Sequence, residues 1–537
     1  MTGAVAVPAR VAGARWRRRP LALATLCTLL FLTFLDNTVV SVALASIRSD
    51  LQAGVSSLQW VVGAYALTFA ALMLGFGMVG DEFGRKKVML AGACVYCAGA
   101  TMSALAPSIA ILIAGRAVMG LGAAASEPGT LSMIRQLYAD ERSRNRALGI
   151  WAAVSGFSLA LGPVLGGTLV GAWSWRGIFW FDVTFGLAAL AAAALILPES
   201  ADPRAGRVDV TGTLLGACAL GSLVFAVIDG ESAGFTALHV VVLYGISALA
   251  AVGFAAWELR APHPLLDLRF LRVPRFTTPN VIAACCYFAT FAIFFFTALY
   301  LAVVAGYSGY RVAAVFGPMT AVMIAASLLA GRLTTVAGTR VLLTTGCLVF
   351  AAGLMSTRFA LGPHPGYFPL AAALALAGAG LGTCVVPVTS SVLAAVPGER
   401  SGMAASATNT SREIGAVAGV VALGALVDAE LKSGLISKMT QLHLPARLQA
   451  LVVQVVETGG GAGLALGGSG GGTGGGGGGG GGSGGGGSGG GLIGELLRVG
   501  YASFDTALHI ALYLSAGLLA GAALLAFATL RSRAREG

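Results

Sequence analysis

Charged residues are scarce in this chain of 537 residues, at 11% of the total against 56% apolar residues. Soluble domains carry about a quarter charged residues, so the composition excludes an ordinary soluble protein and predicts a polytopic membrane protein. The net charge of +11 comes from basic residues dispersed over short turns. We therefore expect a lipid bilayer as partner and no nucleic acid.

The chain also lacks motifs for ATP hydrolysis and for metal binding. No G-x-x-x-x-G-K-[ST] sequence occurs, so nothing supports ATP as the energy source. The five histidines have no ligand-like spacing, and the eight cysteines all fall inside apolar runs. Cys94 and Cys97 have the spacing of a redox pair, but in a lipid-facing helix we expect them to be small packing residues. We predict no metal site and no cofactor.

Long apolar runs dominate what remains, and fourteen of them are long enough to span a bilayer as helices. The first follows a basic tail and is too long for the apolar core of a signal peptide, so we expect an uncleaved first helix. The predicted spans are 21–47, 58–79, 88–105, 109–134, 147–171, 177–197, 210–228, 238–258, 279–303, 312–330, 341–360, 368–392, 402–427 and 503–530.

Basic residues predict the orientation. Twenty-five of the 34 Lys and Arg residues lie on the side that carries both termini, with the segment 397–412 counted on that side. Four lie in the short loops opposite. Because cytoplasmic loops retain Lys and Arg, both termini are predicted to be cytoplasmic. The low Lys and high Arg, Ala and Gly content suggests a bacterial protein, hence the bacterial plasma membrane.

An internal repeat divides the spans. The charged turn with Gly77, Asp81, Gly84 and Lys86 recurs as Gly331, Thr335, Gly338 and Arg340, each time between two spans. Likewise, Glu141-Arg142-Ser143 recurs as Glu399-Arg400-Ser401 before a glycine-rich span. Two six-helix halves with two extra helices between them, 6+2+6, explain both repeats, and repeated halves are a transporter architecture.

This arrangement defines the predicted domains. The long segment 428–502 is expected outside, with a Gly-rich tract, 459–491, that cannot bury a core and is expected to be a tolerated flexible insertion. The domains are a cytoplasmic tail 1–20, a six-helix half 21–197, two linking helices with a cytoplasmic loop 198–275, five helices 276–427, the extracellular loop 428–502, a last helix 503–530 and a cytoplasmic tail 531–537.

Three charged residues inside spans are candidates for proton coupling. Asp36 lies near mid-bilayer, where an ionised carboxylate needs a partner or a water-filled cavity. Arg116 lies at a similar depth, so we predict an Asp36–Arg116 pair for which a proton or a cationic substrate competes. Glu127 lies three helical turns from Arg116 on the same face and could carry a cation or a second proton. Structural hydrogen bonding is the alternative for Asp36 and Glu127.

Asp182 and Glu413 are predicted near helix ends, within reach of water or lipid headgroups. The fifth span contains Gly156, Gly162, Pro163, Gly166 and Gly167. Its glycines allow close helix approach, and its proline removes a backbone donor and bends the helix.

These motifs together resemble the major facilitator superfamily. Its first-half motif matches Gly77, Asp81, Gly84, Arg85 and Lys86, its fourth-helix motif Arg116 and Gly120, and its antiporter motif Gly162, Pro163, Gly166 and Gly167. Leu35-Asp36-x-Thr38-Val39-Val40 and Gln59-Trp60-x-x-x-x-Tyr65 are similar to the fourteen-helix drug:proton antiporter branch.

The resemblance implies proton-driven export of bulky, often cationic or amphipathic compounds, including antibiotics. It also links the helix 1 Asp to proton coupling, the helix 4 Arg to proton transfer and the Gly-Pro helix to an antiporter seal. Two departures leave the substrate range open: Ser41–Ala45 lacks the usual Asn and Pro, and Asp182 replaces a frequent Asn.

We therefore expect a monomeric, proton-coupled exporter of drugs, antibiotics or an endogenous metabolite that works by alternating access. Export of a lipid or siderophore-type metabolite is the alternative. A membrane enzyme or sensor is disfavoured because the loops lack catalytic clusters and a folded outer domain. The turn Gly77–Lys86 is predicted to form a cytoplasmic gate latch, since its repeat has Thr335 where the first half has Asp81.

Overall fold

The computed structural model describes residues 9–138, 140–199, 209–261, 264–362, 365–397, 401–441 and 487–530. All regular structure in these ranges is helical. The predicted tails at 1–8 and 531–537, and the Gly-rich tract as far as residue 486, lie outside the described residues.

Helices form because a backbone in hydrocarbon must satisfy its own hydrogen bonds. The first half contains α1 (Ala9–Leu51), α2 (Val55–Phe83), α3 (Arg85–Ala104), α4 (Ile109–Leu137), α5 (Glu141–Ala172) and α6 (Arg176–Ile196). The extra pair is α7 (Val210–Ala233) and α8 (Leu238–Glu258). The second half contains α9 (Pro274–Phe291), α10 (Ala298–Val303), α11 (Gly309–Ala360), α12 (Tyr367–Ala394), α13 (Ser401–Gln441) and α14 (Gly487–Thr529).

Thirteen helical segments of the described chain are long and apolar enough to cross a membrane, and α5 is a bent fourteenth. A π-helical turn, Ala292–Thr297, joins α9 and α10 into one span. Helix α11 contains two spans, α11a (Gly309–Thr334) and α11b (Val336–Ala360). The predicted fourteen-helix, 6+2+6 major facilitator fold agrees with this order.

The bend in α5 is 41° and lies between Ser158 and Leu161. Pro163 explains its position, because a proline at 163 cannot donate a hydrogen bond to the carbonyl of residue 159. The predicted bend is therefore present, one turn before the proline.

Three helices extend well beyond their predicted spans. Helix α13 continues to Gln441, into the segment assigned to the outer loop, and α14 begins at Gly487 instead of residue 503. Helix α1 begins at Ala9, within the predicted tail. The ends of these helices contain polar and glycine residues, so a search for apolar runs predicted the helices too short.

The repeat is visible in the backbone. Gly84 between α2 and α3 has φ 109°, and Gly338 between α11a and α11b has φ 78°. Only glycine adopts such angles without strain, which explains why both turns of the repeat have a glycine at this position. The extra helix α7 packs on both halves: Val224 and Ile228 contact Ala66 of α2 and Val417 and Val421 of α13.

A buried polar cluster between the two halves

The predicted pair between Asp36 and Arg116 is present, and both side chains are buried. Arg116 Nη1 donates to Asp36 Oδ2, and Arg116 Nε donates to the Val61 carbonyl oxygen at 2.9 Å. The guanidinium also lies over the Tyr65 ring, 4.5 Å from its centroid. A buried charge requires such pairing and hydrogen bonding, so α1, α2 and α4 together hold one desolvated ion pair.

Close packing of α4 on α2 makes this reach possible. A Cβ atom at Gly120, one turn after Arg116, would lie 2.5 Å from the Tyr65 carbonyl oxygen. Thr68 Oγ1 donates across the same contact to the Ala117 carbonyl oxygen at 3.1 Å. In the fourth-helix motif, Gly120 therefore allows the close approach of α4 to α2 that lets Arg116 bond to the α2 backbone.

Glu127, the third predicted residue, lies at the contact between the halves. Asn409 of α13 donates through Nδ2 to Glu127 Oε1 at 2.6 Å. A second bond has the opposite sense: Asn37 of α1 donates through Nδ2 to Glu413 Oε1 at 3.0 Å. Each half thus presents an amide to a carboxylate of the other half, and α13 provides one partner of each bond.

Arg412 is the second buried cation. It donates through Nη1 to Asn409 Oδ1 at 3.0 Å and through Nη2 to Thr389 Oγ1 of α12 at 2.7 Å. Its guanidinium lies 5.8 Å from the ring centroid of Phe34 and 5.7 Å from that of Tyr287. The charge count had assigned Arg412 to a cytoplasmic loop, and that assignment is wrong because the residue is buried inside α13.

The predicted accessibility of Asp182 and Glu413 is also wrong, because both side chains are buried. Asp182 interacts electrostatically with Asp36 and Arg116, and Glu413 lies one helical turn after Asn409. We call the whole set the central polar cluster. Its members are Asp36, Asn37, Arg116, Glu127, Asp182, Asn409, Arg412 and Glu413.

The antiporter motif forms the packing surface of α5. Gly162 and Gly166 face α1, where a Cβ at Gly166 would lie 2.5 Å from the Val39 carbonyl oxygen. Gly167 faces the other half, where a Cβ placed on it would lie 2.5 Å from the Gly309 carbonyl oxygen. Gly156 also faces the other half, and a Cβ there would lie 3.4 Å from Ser327 Oγ of α11a. The predicted glycines therefore bring α5 into close contact with α1 and with the second half.

The predicted gate motif lies at the turn between α2 and α3. Lys86 Nζ donates to the Ala194 carbonyl oxygen at 2.7 Å, and its backbone N–H to Glu199 Oε1 at 3.2 Å, both at the end of α6. Gly77 faces α13, where a Cβ placed on the glycine would lie 3.5 Å from Ser406 Oγ. Arg85 is the first residue of α3, and the side chain of Asp81 lies outside the described residues.

Sequence reasoning missed five members of the site: Asn37, Asp182, Asn409, Arg412 and Glu413. A signal was available, since Asn409, Arg412 and Glu413 follow an i, i+3, i+4 pattern that places them on one face of a helix in an apolar run. Their partners lie on helices distant in sequence, so the pattern alone did not identify what they contact.

Comparisons with known proteins agree with this architecture. The chain is 33% identical over 406 residues to the multidrug resistance protein Stp of Mycobacterium tuberculosis, covering 76% of this chain and 75% of that protein. It is 34% identical over 399 residues to the methylenomycin A resistance protein of Bacillus subtilis, covering 73% and 84%.

Among solved structures, an inward-facing, unoccupied bacterial homologue of the human lysosomal transporter Spinster matches with a TM-score of 0.61 at 18% identity. The match covers 95% of this chain and 96% of that one. The sequence profile of the Major Facilitator Superfamily matches residues 26–420. Fold, repeat and profile agree, and the chain belongs to the Major Facilitator Superfamily.

Proposed function

We propose that this protein is a proton-coupled exporter of antibiotics or other amphipathic, often cationic, compounds. The observation that carries the proposal is the charge imbalance of the central polar cluster. Its four carboxyl groups, Asp36, Glu127, Asp182 and Glu413, face two guanidinium groups, Arg116 and Arg412, and all six side chains are buried.

The imbalance has a direct electrostatic consequence. If every carboxyl group were ionised, the cluster would hold two more negative than positive charges away from water. Uncompensated charges at this depth are expensive, so at least two carboxyl groups must be protonated or must face an external cation. Protons and a cationic substrate can therefore replace each other in this cluster, which is the requirement for antiport.

Glu127 and Glu413 are the groups we assign to this exchange between protons and substrate. Each glutamate accepts a cross-half hydrogen bond on Oε1, while Oε2 accepts none from the described residues. Both interact electrostatically with Arg412. A proton or a cation bound at either carboxylate would change the contact between the halves.

The Asp36–Arg116 pair has a different proposed role. Protonation of Asp36 removes one partner of the ion pair and leaves Arg116 free to interact with Asp182 or with the rest of the cluster. We propose that this change biases the two halves between their alternating-access states. The tight contact of Gly167 with Gly309 lies at the face opposite the Gly84 turn, so those ends must separate for the second state.

The curated relatives support the substrate class. Stp is named for multidrug resistance and the Bacillus subtilis protein for methylenomycin A resistance. We propose the same class here, in the bacterial plasma membrane, with a monomer as the working unit and both termini cytoplasmic. In this orientation the Gly77–Lys86 turn lies at the cytoplasmic face and acts there as the proposed gate.

Proteoliposomes with an imposed pH gradient test the proposal. The purified protein should move a lipophilic cationic dye against its concentration gradient, and adding the dye to protein in weak buffer should release protons. Asp36→Asn and Glu413→Gln should lose both signals. Asp229→Asn is the matched control, because Asp229 contacts His239 at 2.7 Å in the α7–α8 pair, away from the cluster.

Gene deletion followed by a resistance panel identifies the substrate class. Lower resistance to antibiotics supports drug export. Unchanged resistance, together with retention of a lipid or siderophore-type metabolite, would replace the substrate class but leave proton coupling in place. Dye movement without any proton release would contradict the coupling itself.

A further inference from the structure

Three buried cysteines converge inside the second half. Cys286 lies on α9, Cys347 on α11b and Cys384 on α12, and their sulfur atoms all lie within 4.8 Å of one another. The Cys347 and Cys384 sulfurs are 3.9 Å apart, and all three thiols are free. We call this set the thiol cluster.

Helices α11b and α12 pack closely around the thiol cluster. A Cβ atom at Gly346 would lie 2.6 Å from Cys384 Sγ, so a larger residue beside Cys347 would displace that sulfur. One turn further on, a Cβ at Gly380 of α12 would lie 2.5 Å from the Phe350 Cα atom. Helices α11b and α12 are therefore packed backbone to backbone beside the cluster, and α9 provides the third sulfur.

We infer that the thiol cluster is a binding site for one soft, thiophilic metal ion of the Cu(I) class. A metal–sulfur distance of about 2.3 Å places the sulfurs of a trigonal set about 4 Å apart. The Cys347 and Cys384 sulfurs are 3.9 Å apart, and all three lie within 4.8 Å of one another. Thiolate ligands favour soft ions such as Cu(I). Cys, Asp, Glu and His residues elsewhere in the described chain add no fourth ligand to the group. This number of ligands favours a three-coordinate ion over tetrahedral Zn²⁺.

Binding of Cu⁺ at the thiol cluster is coupled to proton release. Each cysteine that coordinates the ion does so as a thiolate, because a coordinating thiol is deprotonated, and the proton of that thiol leaves to solvent. Retention of the ion should therefore weaken as the pH is lowered.

The bound ion would tie α9 to α11b and α12. Cys286 is adjacent to Tyr287, whose ring lies 5.7 Å from the Arg412 guanidinium of the central polar cluster. The two sites are nevertheless distinct, since none of the three cysteines is a member of the central polar cluster.

Anaerobic titration of the purified, reduced protein with Cu(I), against a chromophoric Cu(I) chelator, tests this inference. We expect one ion per chain, release of the protons of the coordinating thiols and a rise in Tm. Cys347→Ser should lose the ion. Cys97→Ser, which removes a buried cysteine of the first half, and Cys94→Ser/Cys218→Ser, which removes the two exposed ones, should retain it.

X-ray absorption of the wild-type protein loaded with Cu(I) provides a measurement that does not depend on variant folding. Three sulfur neighbours at about 2.3 Å support the site. Failure to retain Cu(I), two-coordinate or nitrogen ligation, or equal retention by Cys347→Ser would each overturn it. Tighter retention of Zn²⁺ than of Cu(I) would overturn the assignment to the Cu(I) class.

Discussion

Helices α5 and α13 follow matching sequences, Glu141–Ser143 and Glu399–Ser401, and take matching places in the two halves. Each packs through glycines on the first helix of its own half. Gly162 and Gly166 of α5 face α1, while Gly415 and Gly419 of α13 face Ala284 and Phe288 of α9. Each also has a glycine against the other half, Gly167 at Gly309 and Gly424 at Gln59.

Helices α5 and α13 differ in their ionisable side chains. Helix α13 carries Asn409, Arg412 and Glu413 into the central polar cluster, whereas α5 contributes no charge to that cluster. Counted from Ser143 and Ser401, Ser155 of α5 takes the position of Glu413. The comparison teaches that glycine packing is common to both halves and that the ionisable groups are not, so packing and coupling can be altered separately.

The largest effect is expected from the ion pair of the first half. Arg116→Leu leaves Asp36 buried without its cation, and loss of one partner of such a pair costs about 3–5 kcal/mol. We expect a strongly lowered Tm and no transport. The double variant Asp36→Asn/Arg116→Leu should recover most of the Tm but no coupling. Equal Tm values for the single and double variants would contradict the assignment of a buried ion pair.

A complete loss of coupling with the fold retained is expected for Glu413→Gln. The glutamine keeps an oxygen that accepts the Asn37 hydrogen bond, but it cannot exchange a proton. Proton release on dye addition should disappear while Tm stays close to that of the wild type. Proton release equal to wild type would show that α13 resembles α5 in having no coupling group.

A smaller loss of stability is expected at the glycines that both helices share. Gly166→Val and Gly419→Val each place a branched side chain against backbone carbonyls, and overpacking of this kind costs about 1–3 kcal/mol. Gly517→Val is the control, since no described heavy atom lies within 4 Å of a Cβ there. If only the α5 variant lost stability, the packing would not be common to the two halves.

The smallest effect is expected at the repeated turns. Lys86 contacts the end of α6, and Arg340 lies over Phe527 of α14, 4.0 Å from the ring centroid. Each turn is thus fixed to the last helix of its own half. Lys86→Ala and Arg340→Ala should each cost at most about 1 kcal/mol, measured as a small change in Tm. A large loss at Lys86 alone would favour an asymmetric latch.

The sequence was sufficient for the features that depend on composition, repeats and depth. Fourteen spans, two halves and the Asp36–Arg116 pair could all be predicted, because apolar length and residue count along a helix determine them. The bend before Pro163 was also predictable, because a proline lacks the backbone N–H that would bond to the preceding turn of the helix.

Features that depend on partners from distant helices could not be predicted. Glu413 is buried because α13 packs against helices distant in sequence, and Asn37 of α1 donates to its carboxylate. The thiol cluster joins three helices that share no local pattern, so the sequence contained no signal that its cysteines would meet. In each case the environment of the side chain is set by tertiary packing.

The position of α7 has a mechanical consequence. Val224 and Ile228 are in contact with α2 of one half and α13 of the other at the same time. Any rocking of the halves must therefore make α7 slide along at least one of them. A Cβ at Gly75 of α2 would lie 2.6 Å from Thr213 Oγ1 of α7, so α7 is closely packed on α2. We therefore expect α7 to move with the first half and its apolar contact with α13 to be the one that changes.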